Sequence, residues 1–472
     1  MREDGCTVVF DVGKTNAKLT LWDARGRCLE RRVRRNDEVV YAARYRALDA
    51  QGLEAFLARA LSEFAQIANI DKIIPVAHGA AAALVRGSQL FAAPMDYEDQ
   101  PGTGERDSYD AQRDGFAYTG SPALPQGLNL GMQLHRLERL TGPWPDDLFI
   151  LPWPQYWAWR LSGVMASEVT SLGCHTDLWR PLENRCSDLA RRRGWAQRLP
   201  PRRHAGQALG PITREWAERT GLPENCAVYC GLHDSNAALL AARGHAEIAS
   251  NDATVLSTGT WFVAMRSPAA GTEVNTASLA EARDCLINVD VHGAPTPSAR
   301  FMGGREAELL AGLNIHALTE NYDPKRLIER LPALLKRGVT AFPTFTRGCG
   351  PFPGAVGGWR EKPADPGDQR AITGLYLALM ADASLNLVGS RDRLLIEGRF
   401  AEALIFVRAL AALRPQQKVF VSHAHNDVPY GALRLIDPTL TPPSPLTRVE
   451  PLDVDFSDFA GEWRAHAART VQ

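Results

Sequence analysis

Apolar runs and polar positions divide the chain into recognisable elements. Residues 7–11 (Thr-Val-Val-Phe-Asp) and 17–22 (Ala-Lys-Leu-Thr-Leu-Trp) read as paired strands, because Lys18 and Thr20 alternate with apolar neighbours. Ala24-Arg25-Gly26-Arg27 is the next turn. Residues 51–68 place Leu53, Phe56, Leu57, Leu61 and Phe64 at helical spacing. Ile73-Ile74-Pro75-Val76-Ala77 reads as a buried strand ending at His78-Gly79. The order strand, strand, strand, helix, strand predicts a mixed sheet with flanking helices, the α/β class. Residues 94–130, rich in Pro, Gly, Asp and Tyr, predict a long irregular excursion, which in a compact domain is usually functional. Residues 181–206 are dense in Arg and read as a solvated helical or loop region.

The strand pattern restarts at Asp252-Ala253-Thr254-Val255-Leu256, with a domain boundary expected near 243–250. Leu394-Leu395-Ile396-Glu397-Gly398 is a strand entering a glycine turn. A helix through Ala403, Leu404, Phe406, Val407 and Leu410 follows, then a strand at 418–422. This gives domains over 1–245 and 246–440, with 441–472 as a C-terminal tail, residues 438–451 being rich in Pro and Thr.

Composition narrows the class. With 45% hydrophobic and 23% charged residues over 472 positions, the chain is an ordinary globular protein with ample core. A net charge of −1 argues against nucleic-acid or membrane-surface partners, which usually demand a basic excess. No apolar stretch reaches the roughly 20 residues that span a bilayer. The start, Met1-Arg2-Glu3-Asp4, is charged rather than signal-like. The eight Cys are scattered, with Cys226 and Cys230 the only close pair, so free thiols in a reducing cytoplasm are expected.

Two segments share a strand–turn–strand pattern with Gly and Thr in the turn. One is Phe10-Asp11-Val12-Gly13-Lys14-Thr15-Asn16-Ala17-Lys18; the other is Leu256-Ser257-Thr258-Gly259-Thr260-Trp261. Such turns offer backbone N–H groups and hydroxyls to an anion. Gly13-Lys14-Thr15 is not a Walker A loop, because the glycine required five residues before Gly13 is Val8. The phosphate reading puts Asp11 beside Mg²⁺, lines the phosphates with Gly13, Thr15 and Asn16, and adds the charge of Lys14. An ordinary hairpin with polar turn residues accounts for the segment equally well.

Gly231-Leu232-His233-Asp234-Ser235-Asn236 precedes a small-residue helix. Asp234 reads as a helix cap, or as a general base accepting a proton from a sugar hydroxyl, with His233 touching substrate. Gly398 either lets a flat ring approach the backbone or simply turns the chain. The loop His425-Asn426-Asp427-Val428-Pro429-Tyr430-Gly431 reads as structural, because one loop supplies too few converging ligands for a metal. Trp144, Trp153, Tyr156, Trp157 and Trp159 read mostly as core.

These segments, in this order, resemble the FGGY family of carbohydrate kinases. Phe342-Pro343-Thr344-Phe345 through Arg347-Gly348, and Leu161-Ser162-Gly163 through Glu168-Val169-Thr170-Ser171, add to the match. The resemblance implies two ribonuclease-H-like (actin-like ATPase) domains with a deep interdomain cleft. It implies ATP mainly on the C-terminal domain and sugar mainly on the N-terminal one. By position, Asp234 matches the catalytic base and Asp11 the Mg²⁺-associated acid. Thr258, Gly259 and Thr260 match the second phosphate loop, and Gly398 the adenosine motif. The His233-Asp234 pair is similar to rhamnulokinases, where His78-Gly79 falls at a substrate contact. Glu397-Gly398-Arg399-Phe400 departs from the family's glycine run followed by Ser-Gln, and 94–130 matches no subgroup.

The function expected is ATP-dependent phosphorylation of a terminal hydroxyl of a ketose, deoxy-ketose or polyol. Water-excluding closure and charge neutralisation at the phosphates would assist it. A non-catalytic nucleotide- or sugar-binding regulator on the same scaffold is the competing expectation. A filament or chaperone ATPase would need no sugar base. The sugar's identity and the oligomeric state, a homodimer included, stay open.

Overall fold

The computed structural model describes residues 3–36, 40–42, 44–272, 274–276, 279–312, 323–422 and 427–469. Contacts divide them into two compact units. The first takes in the chain to Gly244, Ile287–Pro295 and the stretch to Pro442. The second takes in His245–Leu286, the stretch from Thr296, and the chain from Pro443 onward. Each unit is thus assembled from several pieces of chain, a division that differs from three consecutive segments. His425 and Asn426 lie outside the described residues, and Asp427–Ile436 is a helix.

In the first unit β1 (Glu3–Val12), β2 (Asn16–Trp22) and β3 (Cys28–Arg35) form an antiparallel meander. Helix α1 (Ala50–Ala65) crosses to β4 (Ala68–Ala77), which lies parallel to β1. Two short strands extend the sheet, β5 (Ala208–Pro211) and β6 (Ala227–Tyr229), while β7 (Leu232–His233) continues along β4. The sheet order is β5–β6–β4–β1–β2–β3. Helix α2 (Asp234–Ala242) leaves β7.

Both faces of this sheet are covered, which explains why β1 is an unbroken apolar run rather than a strict alternation. Val8 and Phe10 pack with Leu53, Phe56, Leu57 and Phe64 of α1. Val9 points the other way, into a cluster with Ile74, Val76, Leu232, Ala237 and Tyr430. That cluster joins α2 to the helix Asp427–Ile436, and the two come so close that a Cβ on Gly431 would lie 1.7 Å from Ala237 O. The aromatic segment sits in the core: Trp153 and Trp157 are fully buried, and Phe10 meets Trp157 edge-on at 5.3 Å.

The expected irregular excursion 94–130 is partly helical, with helices at Thr103–Asp110 and Phe116–Thr119. Buried polar residues shape it. Asn129 donates to Pro122 O at 2.9 Å, and Gln133 donates to Ala80 O at 2.6 Å and Gly127 O at 2.7 Å. These side chains answer backbone carbonyls that no strand would satisfy. The Arg-dense stretch is also less solvated than its composition suggests. Arg193 pairs with Glu138, and Arg198 donates to Pro145 O at 2.6 Å.

The second unit repeats the plan. Strands β8 (Ala253–Thr258), β9 (Phe262–Ser267) and β10 (Pro295–Phe301) form the meander. After helix α3 (Pro366–Leu387), β11 (Arg393–Gly398) runs parallel to β8. Helix α4 (Leu404–Leu413) leads to β12 (Lys418–Val421), parallel to β11. The order β10–β9–β8–β11–β12 matches β3–β2–β1–β4–β6, so both units are ribonuclease-H-like.

The segment 441–472 is not a tail. Helix α5 (Ser457–Ala468) inserts Trp463, 1% exposed, among Phe352 and Tyr376, and its indole N–H donates to Ala341 O at 3.0 Å. The Pro-rich stretch before it masks this helix in the sequence. Trp463→Ala removes a fully packed indole, a loss of about 3–5 kcal/mol. It is expected to lower the calorimetric unfolding midpoint by roughly 10 °C.

Candidate active site

Three strands of the first unit end together. Asp11 on β1 is the register partner of Val76 on β4, and Leu232 on β7 is also the partner of Val76. One residue on, Val12, Ala77 and His233 align in the same way. The residues that follow are Gly13, His78 and Asp234. All three therefore leave the same carboxyl edge of a parallel arrangement, where open α/β sheets bind ligands. Gly231 is needed just before, since at φ +80° a Cβ would lie 2.1 Å from Pro75 O.

Asp234 opens α2 and keeps a side chain 28% exposed. Its Oδ1 accepts from Ser235 N at 2.6 Å and lies 3.2 Å from His233 Nε2. Burial pushes the His233 pKa down, so the ring is neutral at physiological pH. Its Nδ1 faces Asn236 Nδ2 at 3.3 Å. The tautomer that satisfies both neighbours accepts at Nδ1 and donates from Nε2 to Asp234.

This loop is anchored from below. His233 N–H donates to Thr170 Oγ1 at 3.0 Å, and Thr170 donates to Glu168 Oε2 at 2.6 Å. Glu168 is fully buried, caps the short helix Val169–Leu172, and also accepts from Thr170 N and Ser171 N. Burial raises its carboxyl to about 7. On the open side, a Cβ at Gly79 would lie 2.7 Å from Cys174 Sγ and 2.9 Å from His233 Nε2, so glycine there leaves the imidazole in place. His78 donates from Nδ1 to Gly79 O at 2.8 Å and meets the Tyr97 ring edge-on at 5.6 Å.

Asp11 is 4% exposed, and burial raises its pKa to about 6. Lys18, 3.6 Å away, opposes that rise, while the charge of Asp234 adds to it. Two carboxylates that sense each other are hard oxygen donors. They suit a magnesium ion, which usually takes one or two protein carboxylates and completes its shell with water and phosphate. Among the described residues, no group of three or more His, Cys, Asp or Glu converges as a metal cage.

The tip between β1 and β2 is tied at its carbonyls. Asn36 donates from its backbone to Thr15 O at 2.8 Å and from its side chain to Gly13 O at 2.9 Å. Asn16 lies at the start of β2 opposite Arg35. Lys14 differs from the expectation of a free positive charge for phosphate. Its Nζ lies 2.5 Å from both oxygens of Asp96, a carboxylate supplied by the 94–130 excursion. Asp96 is held below the usual carboxylate range in spite of its burial, because the Glu98 N–H and Lys14 outweigh that burial.

In the second unit the hairpin and the glycine turn are joined through Thr258. Its hydroxyl donates to Glu397 O at 2.6 Å and accepts from Phe400 N at 3.0 Å. Gly398, at φ +82°, packs where a Cβ would sit 2.3 Å from Thr258 O. With the Thr258 hydroxyl occupied, Gly259 and Thr260 are the outward part of the turn. Gly259 N–H closes it onto Trp261 O at 3.0 Å, and Arg300 stacks over Trp261 at 4.9 Å. Phe400 and Leu404, further along the chain, line a mainly apolar cavity of about 90 Å³ with Gly374, Leu377 and Phe406. Glu306 holds the 342–348 loop, accepting from Phe345 N at 3.0 Å and Thr346 N at 2.7 Å.

The family model for the FGGY carbohydrate kinase C-terminal domain matches residues 250–443. The crystal structure of a carbohydrate kinase from Novosphingobium aromaticivorans is 50% identical, over 98% of this chain and 100% of that one, with a TM-score of 0.93. This chain belongs to the FGGY family of carbohydrate kinases. Xylulose kinase from Rhodospirillum rubrum (17% identity, 99% of this chain and 97% of that one, TM-score 0.75) shares the fold. So does Plasmodium falciparum glycerol kinase with ADP (12% identity, 100% of both chains, TM-score 0.76). None of the curated proteins matches.

The kinase brings Asp11, Gly13, His78, Gly79, His233 and Asp234 to one edge of its first sheet. It brings Thr258, Gly259, Thr260 and Gly398 together in its second. Sequence reasoning missed Asp96 and Tyr97, which lay in a segment without periodicity, and Asn236, whose i+3 spacing from His233 on a helix was the available signal. Gly398→Ala meets both a carbonyl and an unfavourable φ, and is expected to destabilise the second unit by about 1–3 kcal/mol. Gly259→Ala, whose Cβ finds nothing nearer than Trp261 O at 3.8 Å, is expected to leave the unfolding midpoint unchanged. Calorimetry of the two variants side by side checks the contrast.

Proposed function

We propose that this kinase transfers the γ-phosphoryl group of ATP to a terminal hydroxyl of a ketose or deoxy-ketose of the rhamnulose, fuculose, xylulose and ribulose class. The observation that carries this reading is the setting of Asp234. Among the described residues its hydrogen bonds fall on Oδ1, which leaves Oδ2 of a partly exposed carboxylate to take a proton. The neutral His233 ring donates to Oδ1 and holds the carboxylate's orientation without neutralising it. His78, Gly79 and His233 line the acceptor around that oxygen. The packing of Gly79 against His233 and of His78 against Tyr97 forms the wall on that side.

Nucleotide binding is assigned to both hairpins. The tip of the first, at Gly13, Thr15 and Asn16, presents backbone N–H groups to phosphate, as does Thr260 in the second, where Gly259 leaves room for close approach. Thr258 shapes the second turn from beneath, Gly398 lets the chain pass close over it, and the apolar cavity lined by Phe400 is assigned to a flat base. Asp11 would hold Mg²⁺. The ion, when bound, supplies positive charge to the phosphate oxygens. Lys18 keeps Asp11 ionised in the meantime.

Release of ADP with a panel of ketoses tests the reaction. Asp234→Asn is expected to lower kcat by about 10²–10⁴-fold, and full sugar-dependent activity in that variant would refute the assignment. The pH profile gives a second check. Asp11 is ionised above about 6 and protonated below it, so kcat/KM is expected to fall as pH drops through that value. Lys18 lowers the Asp11 pKa, so Lys18→Met is expected to move this acid limb to higher pH.

A further inference from the structure

Lys14 departs from what a phosphate-binding hairpin requires. Its ammonium touches Asp96 at 2.5 Å, lies 3.5 Å from Glu98 Oε2 and sits 4.9 Å from the centre of the Tyr97 ring. Arg46 binds the same two carboxylates, at 2.7 Å to Asp96 and 2.6 Å to Glu98. Two cations and two anions thus close into a square whose charges cancel. Tyr97, between the two acids in sequence, lays its ring against His78. Asp234 acts electrostatically on both His78 and Tyr97, so this group belongs to the surroundings of the proposed base.

A phosphate arriving at Lys14 would have to displace the buried Asp96 and then face Glu98. Like-charge repulsion and an uncompensated buried carboxylate both oppose that exchange. An anionic acceptor meets the same obstacle, because neither Lys14 nor Arg46 has charge left uncompensated. An uncharged polyhydroxylated molecule meets none, and hydroxyl groups can share the outer donors and acceptors of the square.

Resting on the kinase reading above, we infer that Lys14, Asp96 and Tyr97 form an acceptor-selecting wall. The ion pair pins the hairpin tip against Tyr97 and His78, and the cancelled charge admits neutral sugars while rejecting aldonates and sugar phosphates. Lys14 is then a positioning residue for the acceptor rather than a phosphate ligand. Asp96 is its counterpart, and its removal would leave the square with one cation uncompensated, Glu98 answering the other.

Steady-state kinetics on the full-length enzyme test this, with neutral ketoses and the corresponding aldonates as acceptors and ATP as donor. The wild-type enzyme is expected to turn over neutral sugars only. Lys14→Met is expected to raise the acceptor KM about tenfold while the ATP KM stays within about twofold. Asp96→Asn is expected to raise the neutral-acceptor KM similarly and to gain turnover of aldonates. The double variant should be little worse than either single one, as coupled partners are. Lys14→Arg, which can keep the pair, should retain most activity. If Lys14→Met fails to fold, Lys14→Gln, which keeps a donor toward Asp96, reads the same KM split. A raised ATP KM with an unchanged acceptor KM, additive effects in the double variant, or wild-type turnover of aldonates would overturn the inference alone. A wild-type enzyme that phosphorylates no sugar would overturn the kinase reading, and this inference with it.

Discussion

The parallel register of three strands is the constraint on which the rest of the first unit depends. Val12, Ala77 and His233 stand level across β1, β4 and β7, so three chain segments far apart in sequence break from the sheet at one height. Backbone hydrogen bonds set that height, and side chains only exploit it. A one-residue slip of β7 would turn His233 and Asp234 to opposite faces. The buried Glu168–Thr170–His233 chain guards against such a slip by fixing the His233 N–H from beneath.

Burial at this edge has a chemical side. Asp11 and Glu168 are both raised by desolvation, while His78 and His233 are both lowered. The imidazoles therefore stay neutral and serve as directed donors and acceptors. The carboxylates hold their charge only as far as neighbours such as Lys18 sustain it. Geometry and protonation are two results of the same apolar surroundings, contributed by the packing of α1 and α2 on either face.

Much of the scaffold was legible in the residues. The apolar runs at 7–11, 17–22 and 73–77 lie within strands, and Leu53 to Phe64 lie on the buried face of α1, because hydrophobic period follows burial directly. Helix α5 was hidden behind prolines, and the helices within 94–130 were hidden by Gly and Asp. Their stability comes from tertiary contacts such as those of Trp463, Asn129 and Gln133, not from local pattern. At the site, the resemblance marked Asp11, His233 and Asp234, and the structure places them at one edge. The fate of Lys14 was not legible, since its partner Asp96 is 82 positions away in a segment without period.

The bond of Thr258 to both Glu397 and Phe400 has a mechanical meaning. It makes the tip of one hairpin and the start of the turn after β11 a single rigid piece. Whatever sits on the Gly259 turn and whatever fills the cavity beside Phe400 are therefore separated by an inflexible span. In the proposed reading that span is a gauge of ligand length. Any change in the length of such a ligand would have to be absorbed by the ligand and its solvent rather than by a bend between the two.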